Sequence, residues 1–175
     1  MPTLNGKLEG SFTQAGMEET LYSITIDNCS GSLPVWNPEL VAIFSKDKKV
    51  FEAWIDPMEE NEDAIFFGQP LRVVDLNQDK QNEILLMGGG AGQGISVETA
   101  HLLKVENQKL VYVKDFGTVY EDQCDAGFEQ PYVLASVIYF SGLNSQNEPQ
   151  FKIENFEKSC AEESEYKKSD KKFEE

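Results

Sequence analysis

The stretch LRVVDLNQDKQNEILLM, Leu71 to Met87, decides the fold prediction because two short apolar runs flank a loop rich in oxygen-bearing side chains. Val, Ile and Leu on both sides predict one β-strand before the loop and another after it. Oxygen-bearing residues occupy positions 1, 3, 5 and 9 of the loop, and they are Asp75, Asn77, Asp79 and Glu83. Carboxylate and amide oxygens are the ligands that Ca²⁺ prefers, so the spacing predicts a calcium loop between two strands.

An EF-hand must be tested first, because its loop also begins with oxygen ligands at positions 1, 3 and 5. That loop needs glycine at position 6 and a bidentate glutamate at position 12. Here position 6 is Lys80 and position 12 is Leu86, and the following segment predicts a strand rather than a helix. The EF-hand is therefore excluded.

A shorter loop that is closed by an acidic residue at position 9 and followed at once by a strand resembles the calcium loops of FG-GAP and VCBS-type repeats in integrin-like β-propellers. Their pattern is D-x-[DN]-x-D-G-x-x-[DE]. The resemblance covers mainly residues 71–87, and it implies an extracytoplasmic binding or adhesion module. Lys80 replaces the family's glycine, so a lysine must adopt the left-handed turn at some cost in strain. The ligands implied are the side chains of Asp75, Asn77, Asp79 and Glu83 and the backbone carbonyl of Gln81.

The composition is strongly acidic. The chain has 175 residues, with 31 acidic against 15 basic side chains and a formal net charge of -16. Such a charge argues against nucleic acid and anionic membranes as partners. Arg72 is the only arginine, so clamps for phosphate are nearly absent. No apolar run of 18 or more residues occurs, which predicts no membrane insertion.

Cysteine usage bears on the compartment. Cys29 and Cys124 lie in polar, turn-rich settings, DNCSG and DQCDAG, and are the disulfide candidate. The alternative is a pair of unbridged thiols in a reducing compartment. Cys160 lies in the charged tail and is expected to be a free thiol. The start, MPTLNGKLEG, fits either a cytosolic terminus or a chain whose signal was removed, and the cysteines favour an extracytoplasmic location, meaning periplasmic, secreted or surface-anchored.

Short strands bounded by turn residues recur along the chain. They predict an all-β fold of antiparallel meanders, arranged as propeller-like blades or a compact sandwich. We expect one β-rich domain over residues 1–156 with about three hairpin units, and a charged helix or tail over residues 157–175. The candidate strands are 21–26, 40–44, 50–55, 64–67, 71–74, 84–87, 101–105, 110–113, 132–140 and 151–156.

The hairpin units suggest an internal repeat at a shift of roughly 60 residues. At that shift, GSFTQAGMEETLYSI is brought beside VVDLNQDKQNEILLM. The first unit then has Phe12, Gln14 and Gly16 in the places of the ligand residues. Only the central unit is therefore expected to bind calcium.

The glycine-rich run GGGAGQG, Gly88 to Gly94, follows a predicted strand but matches no phosphate-binding motif. Ile95 stands where a P-loop has lysine, and no register gives G-x-G-x-x-G. The run predicts a flexible loop or a bulge where chains approach closely, with backbone recognition of a ligand as the alternative.

Catalytic residues are hard to identify. The single histidine, His101, lies in a predicted strand, where a structural role is expected, and multi-histidine zinc sites are excluded. Carboxylate pairs such as Glu59 with Glu60, or Glu121 with Asp122, would suit a glycoside hydrolase, but a chain this acidic has many accidental pairs.

The residues therefore favour a non-enzymatic calcium-binding module with a structural ion and an unknown protein or glycan partner. Trp36 and Trp54 are expected to be core or edge aromatics, with carbohydrate stacking as the alternative. Two other classes remain open. They are a glycan-acting hydrolase that uses carboxylates and an accessory subunit of a protein complex.

Overall fold

The computed structural model describes residues 2–26, 39–55, 69–161 and 164–173. Every regular element in these ranges is a β-strand, and the strands pair antiparallel. The predicted all-β class is confirmed. The strands are β1 (Pro2–Gly10), β2 (Glu19–Ile26), β3 (Glu39–Ser45), β4 (Lys48–Ile55), β5 (Gln69–Val74), β6 (Glu83–Gly92), β7 (Ile95–Glu106), β8 (Lys109–Asp122), β9 (Tyr132–Leu143), β10 (Pro149–Ser159) and β11 (Lys167–Ser169).

Two sheets result, and both are largely meanders. One has four strands in the order β1-β2-β3-β4, and the other has seven in the order β11-β10-β9-β8-β7-β6-β5. The three predicted hairpins are β3–β4, β7–β8 and β9–β10. The predicted strand 64–67 lies outside the described residues.

Long-range contacts divide the chain into two units, residues 1–87 with 101–114 and residues 88–100 with 115–175. Unit 1 contains the β1–β2 hairpin and most of the β5–β6 hairpin, and it has a continuous apolar core. Except for Phe12, which lies in the loop between β1 and β2, its members are strand residues, and alternate positions of a strand point to the same side. The core residues are Phe12, Leu21, Val41, Ile43, Phe51, Ile84, Leu86, Leu103 and Val105.

Unit 2 corrects the prediction for the tail. Residues 167–169 form β11, which pairs with Asn155–Glu157 of β10, so the described part of the tail contributes a strand and no helix. The predicted boundary after residue 156 falls inside β10.

The disulfide also differs from the predicted one. Cys124 bonds Cys160, with their Cα atoms 5.4 Å apart, so Cys124 cannot pair with Cys29, and Cys160 is not a free thiol. Cys29 itself lies outside the described residues. The physical reason is the course of β10, whose end at Ser159 brings the tail beside the turn that follows β8.

The glycine-rich run is not a flexible loop but the end of β6 and the two-residue turn into β7. Gln93 and Gly94 both have positive φ, 54° and 81°, as a tight hairpin turn of this length requires. An ideal Cβ at Gly94 would lie 2.1 Å from the carbonyl oxygen of Asp125. The expected close approach of chains is thus present at the turn.

Gly94→Ala is expected to lower the free energy of unfolding by about 2–3 kcal/mol, because alanine adds both left-handed strain and a clash with backbone atoms. Urea denaturation measures this loss. Gly90→Ala is the matched control, since no atom lies within 4 Å of a Cβ at that position. Equal stability of the two variants would contradict the packing of the turn.

Candidate metal centre

The predicted calcium loop is the connection of the β5–β6 hairpin. Val74, the last residue of β5, pairs with Glu83, the first residue of β6. Asp75 therefore leaves the sheet directly beside the point where Glu83 enters it. The strand pairing brings positions 1 and 9 of the loop to the same end of the hairpin.

Backbone amides of the loop turn toward the predicted ligand side chains. The Asp75 carboxylate accepts hydrogen bonds from the amides of Asp79 and Lys80, both at 3.1 Å. The Asn77 side-chain oxygen accepts a second bond from the Asp79 amide at 3.2 Å. Asp79 Oδ1 accepts one from the Gln81 amide at 2.7 Å, and Asp79 Oδ2 accepts one from Asn77 Nδ2 at 2.9 Å. The loop is thus wound around the oxygens of its first three predicted ligands.

Lys80, at position 6 of the loop, adopts a left-handed backbone conformation. Its φ is 68°, and Gln78 two residues earlier has φ 59°. Left-handed backbone costs an L-residue roughly 1–2 kcal/mol, so the surrounding bonds must hold Lys80 in place. The left-handed turn is therefore present with lysine at this position.

Glu83 is the buried member of the set, with 4% of its surface exposed. Its Oε2 accepts a hydrogen bond from the Leu76 amide at 3.1 Å. Burial raises the pKa of Glu83, and the negative charges of Asp79 and Asp75 raise it further. Ionising this carboxyl therefore costs more in the folded chain than in the unfolded one, and a nearby cation would offset that cost.

The carboxylates of the loop are close but not clustered. Across the described ranges, one group of three acidic, cysteine or histidine side chains has all its ligand atoms within 4.8 Å of one another, and it consists of Asp122, Cys124 and Cys160. Its two cysteines are bonded to each other. Asp75, Asp79 and Glu83 therefore lie farther apart than 4.8 Å in at least one pair.

The loop of residues 11–19, between β1 and β2, has the same construction as the loop of residues 75–83. In chain order, we call residues 11–19 the first loop and residues 75–83 the second loop. Glu19 begins β2 and is 4% exposed, as Glu83 begins β6. Glu19 Oε2 accepts the amide of Phe12 at 2.6 Å, over the same seven-residue separation that joins Glu83 to Leu76. Gly16 has φ 73° where Lys80 has φ 68°. The two loops are structurally equivalent in these three features.

This equivalence corrects the predicted alignment of the two loops. With Glu19 at position 9, positions 1, 3 and 5 are Ser11, Thr13 and Ala15 rather than Phe12, Gln14 and Gly16. The signal that sequence analysis missed is Glu19 itself, a glutamate at the same distance before an apolar strand.

One hydrogen bond of the first loop joins two groups whose counterparts in the second loop are both acceptors. The Ser11 hydroxyl at position 1 donates to the Met17 carbonyl at position 7, at 2.7 Å. The equivalent atoms in the second loop are the Asp75 carboxylate and the Gln81 carbonyl. Both are acceptors when Asp75 is ionised, so they cannot bond each other.

The other residues that the sequence singled out as candidate functional residues lie outside the two loops. His101 is 5% exposed, and its ring lies 5.7 Å from that of Tyr112. Trp54 is 55% exposed on β4, and its indole donates to Glu52 at 3.2 Å. Asp122, at the end of β8, accepts bonds from Tyr120 Oη and the Cys124 amide. Trp36, Glu59 and Glu60 lie outside the described residues.

In the part of the chain that the structure describes, no helix is long and apolar enough to cross a membrane. A comparison of the chain with protein-family models, with curated proteins and with solved structures found no match.

Proposed function

We propose that the chain is a non-enzymatic calcium-binding module that acts outside the cytoplasm in binding or adhesion. Ca²⁺ occupies the loop of residues 75–83 as a structural ion. It joins the two ends of the β5–β6 hairpin and offsets the repulsion among the acidic side chains of the loop. The proposed ligands are the side chains of Asp75, Asn77, Asp79 and Glu83 and the carbonyl of Gln81.

The main support for this proposal is a difference between the two equivalent loops at positions 1 and 7. In the first loop, a hydroxyl at position 1 and a carbonyl at position 7 form a direct hydrogen bond. In the second loop, position 1 is the Asp75 carboxylate, which accepts the amides of Asp79 and Lys80, and position 7 is the Gln81 carbonyl, another acceptor that a carboxylate cannot bond. A cation would bind both groups through their remaining lone pairs, and Ca²⁺ suits oxygen ligands in flexible geometry.

Electrostatics supports the same conclusion. Glu83 has a raised pKa because it is buried near Asp79 and Asp75. A divalent cation favours the ionised form of such a carboxyl. A cation that binds the folded loop but not the unfolded chain would add to folding stability.

The extracytoplasmic location rests on the Cys124–Cys160 disulfide. Disulfides persist in oxidising compartments and are rare in the cytosol. The resemblance of residues 71–87 to FG-GAP and VCBS-type loops agrees with such a location, since it implies an extracytoplasmic module.

An accessory subunit is the second candidate, because β9 and β10 carry large apolar side chains that solvent reaches. Such patches often mark protein interaction surfaces. A subunit would co-purify with its partner in the presence of chelator, whereas a calcium-dependent module would release its ligand. The exposed residues are Val137, Tyr139, Phe140, Leu143 and Ile153.

Differential scanning calorimetry tests the proposal. We expect saturating CaCl₂ to raise the melting temperature of the chelator-treated chain by about 10 °C, because a ligand that binds only the folded state stabilises it. MgCl₂ should raise it less, since Mg²⁺ demands shorter bonds and stricter geometry. Identical melting profiles in EGTA and in CaCl₂ would overturn the proposal.

A further inference from the structure

The two equivalent loops are joined to each other by backbone hydrogen bonds. The Gly16 amide donates to the Lys80 carbonyl at 2.9 Å, and the Asn82 amide donates to the Ser11 carbonyl at 2.6 Å. In return, the Ser11 amide donates to the Asn82 side-chain oxygen at 2.7 Å. Ser11, at position 1 of the first loop, is therefore bonded directly to Asn82, at position 8 of the second loop.

The Gln81 side chain strengthens this junction. Its amide nitrogen donates to the Phe12 carbonyl at 2.7 Å and to the Val105 carbonyl at 2.8 Å. The two acceptors belong to the first loop and to β7. Gln81 also supplies the carbonyl proposed as a calcium ligand, so one residue touches the ion through its backbone and the first loop through its side chain.

The backbone of β1 passes close to Asn82 at this junction. An ideal Cβ at Gly10, the last residue of β1, would lie 2.8 Å from the Asn82 side-chain oxygen and 2.9 Å from Val73 Cγ1. Movement of the second loop at Asn82 therefore displaces the first loop as well. Close packing transmits such movement rather than absorbing it.

We propose that the two loops work as one unit, in which calcium bound by the second loop orders the first. Gln81 and Asn82 are the positioning residues. The side-chain bonds of Gln81 hold its own backbone carbonyl, the proposed ligand, in place. Asn82 holds Ser11, the first residue of the first loop. This inference rests on the proposed function, because it concerns the same ion. It adds that the loop of residues 11–19, which is closed by its own hydrogen bond, is the part of the molecule that responds to calcium.

The physical basis is shared ordering. Binding in the second loop fixes Lys80, Gln81 and Asn82, and each of these holds an atom of the first loop in place. An ion that holds these three residues would make their bonds to the first loop harder to break. Local opening becomes rarer, and amide exchange in the first loop becomes slower.

Hydrogen–deuterium exchange on the full chain tests the coupling. We expect CaCl₂ to slow exchange of the Ser11 and Gly16 amides at least tenfold relative to EGTA. The β3–β4 turn at Lys46 and Asp47 provides an internal reference, because it belongs to unit 1 but makes none of the bonds between the loops. Its exchange should change much less.

A matched pair of variants tests the positioning role. Gln81→Asn shortens the side chain by one methylene, so that its amide cannot reach both carbonyls, while Gln78→Asn makes the same change at an exposed position of the same loop. We expect Gln81→Asn to bind calcium about tenfold more weakly and to lose most calcium-dependent protection of residues 11–17. Gln78→Asn should behave like the wild type.

The outcomes separate the two proposals. Absence of calcium binding by the wild type would overturn the proposed function, and this inference with it. Calcium binding without slower exchange in residues 11–17 would overturn the coupling alone. Equal calcium affinity of Gln81→Asn and Gln78→Asn would overturn the positioning role alone. The wild-type exchange experiment decides the coupling even if a variant folds poorly.

Discussion

Asp75→Asn is expected to remove calcium-dependent stabilisation, a loss of about 4 kcal/mol at a free calcium concentration a thousandfold above Kd. Asparagine keeps one oxygen, which can accept the amide of Asp79 or of Lys80 but not both in the present geometry, so the comparison is made between EGTA and CaCl₂ within each chain. It lacks the negative charge that Asp75 would contribute to the proposed calcium site. The free energy of unfolding, measured by urea denaturation in EGTA and in CaCl₂, gives the difference for each chain.

Asp47→Asn is the matched control. Asp47 is an exposed aspartate in the β3–β4 turn of the same unit, and its loss changes the net charge by the same amount. We expect this variant to retain the full calcium effect. If both variants lost it equally, the effect would come from overall charge and not from the loop.

The second large effect is expected at the Cys124–Cys160 disulfide. The bond closes a loop with a sequence separation of 36, and in the chain-entropy model its removal costs about 4 kcal/mol. Cys160→Ser should therefore unfold at a much lower urea concentration than the wild type. The cost has its origin in the larger entropy of the unfolded chain.

Cys29→Ser provides the control for the pairing. It leaves both bonded cysteines in place, so the expected stability is close to that of the wild type. Peptide mapping under non-reducing conditions should recover the segment that contains Cys124 joined to the one that contains Cys160. Recovery of Cys29 joined to Cys124, with destabilisation by Cys29→Ser, would restore the pairing that the sequence predicted.

Much of the strand order could be predicted because apolar and β-branched residues are concentrated in short runs between turn residues. β3, β4 and their connecting turn were recognised on this basis. The prediction missed β1, PTLNGKLEG, whose apolar content is low and whose strand conformation depends on pairing with β2. It also shortened β6, because the glycines at its end are poor strand formers that only the hairpin pairing keeps extended.

The loop of residues 75–83 was predictable because ligand spacing is a local property of the chain. The equivalence of Glu19 and Glu83 was not recognised, since positions 1, 3 and 5 of the first loop no longer carry acids. The disulfide partner of Cys124 was not predictable for a different reason. Connectivity among three cysteines depends on tertiary course, and here the end of β10 determines it.

Isothermal titration calorimetry of the chelator-treated chain with CaCl₂ tests the central claim most directly. We expect one calcium ion per chain, because the Ser11 hydroxyl in the loop between β1 and β2 is already bonded to the Met17 carbonyl, whereas the proposed ligands lie in the loop at Asp75. Asp75→Asn should show no binding heat under the same conditions. Absence of binding to the wild type, or one ion still bound by Asp75→Asn, would contradict the account.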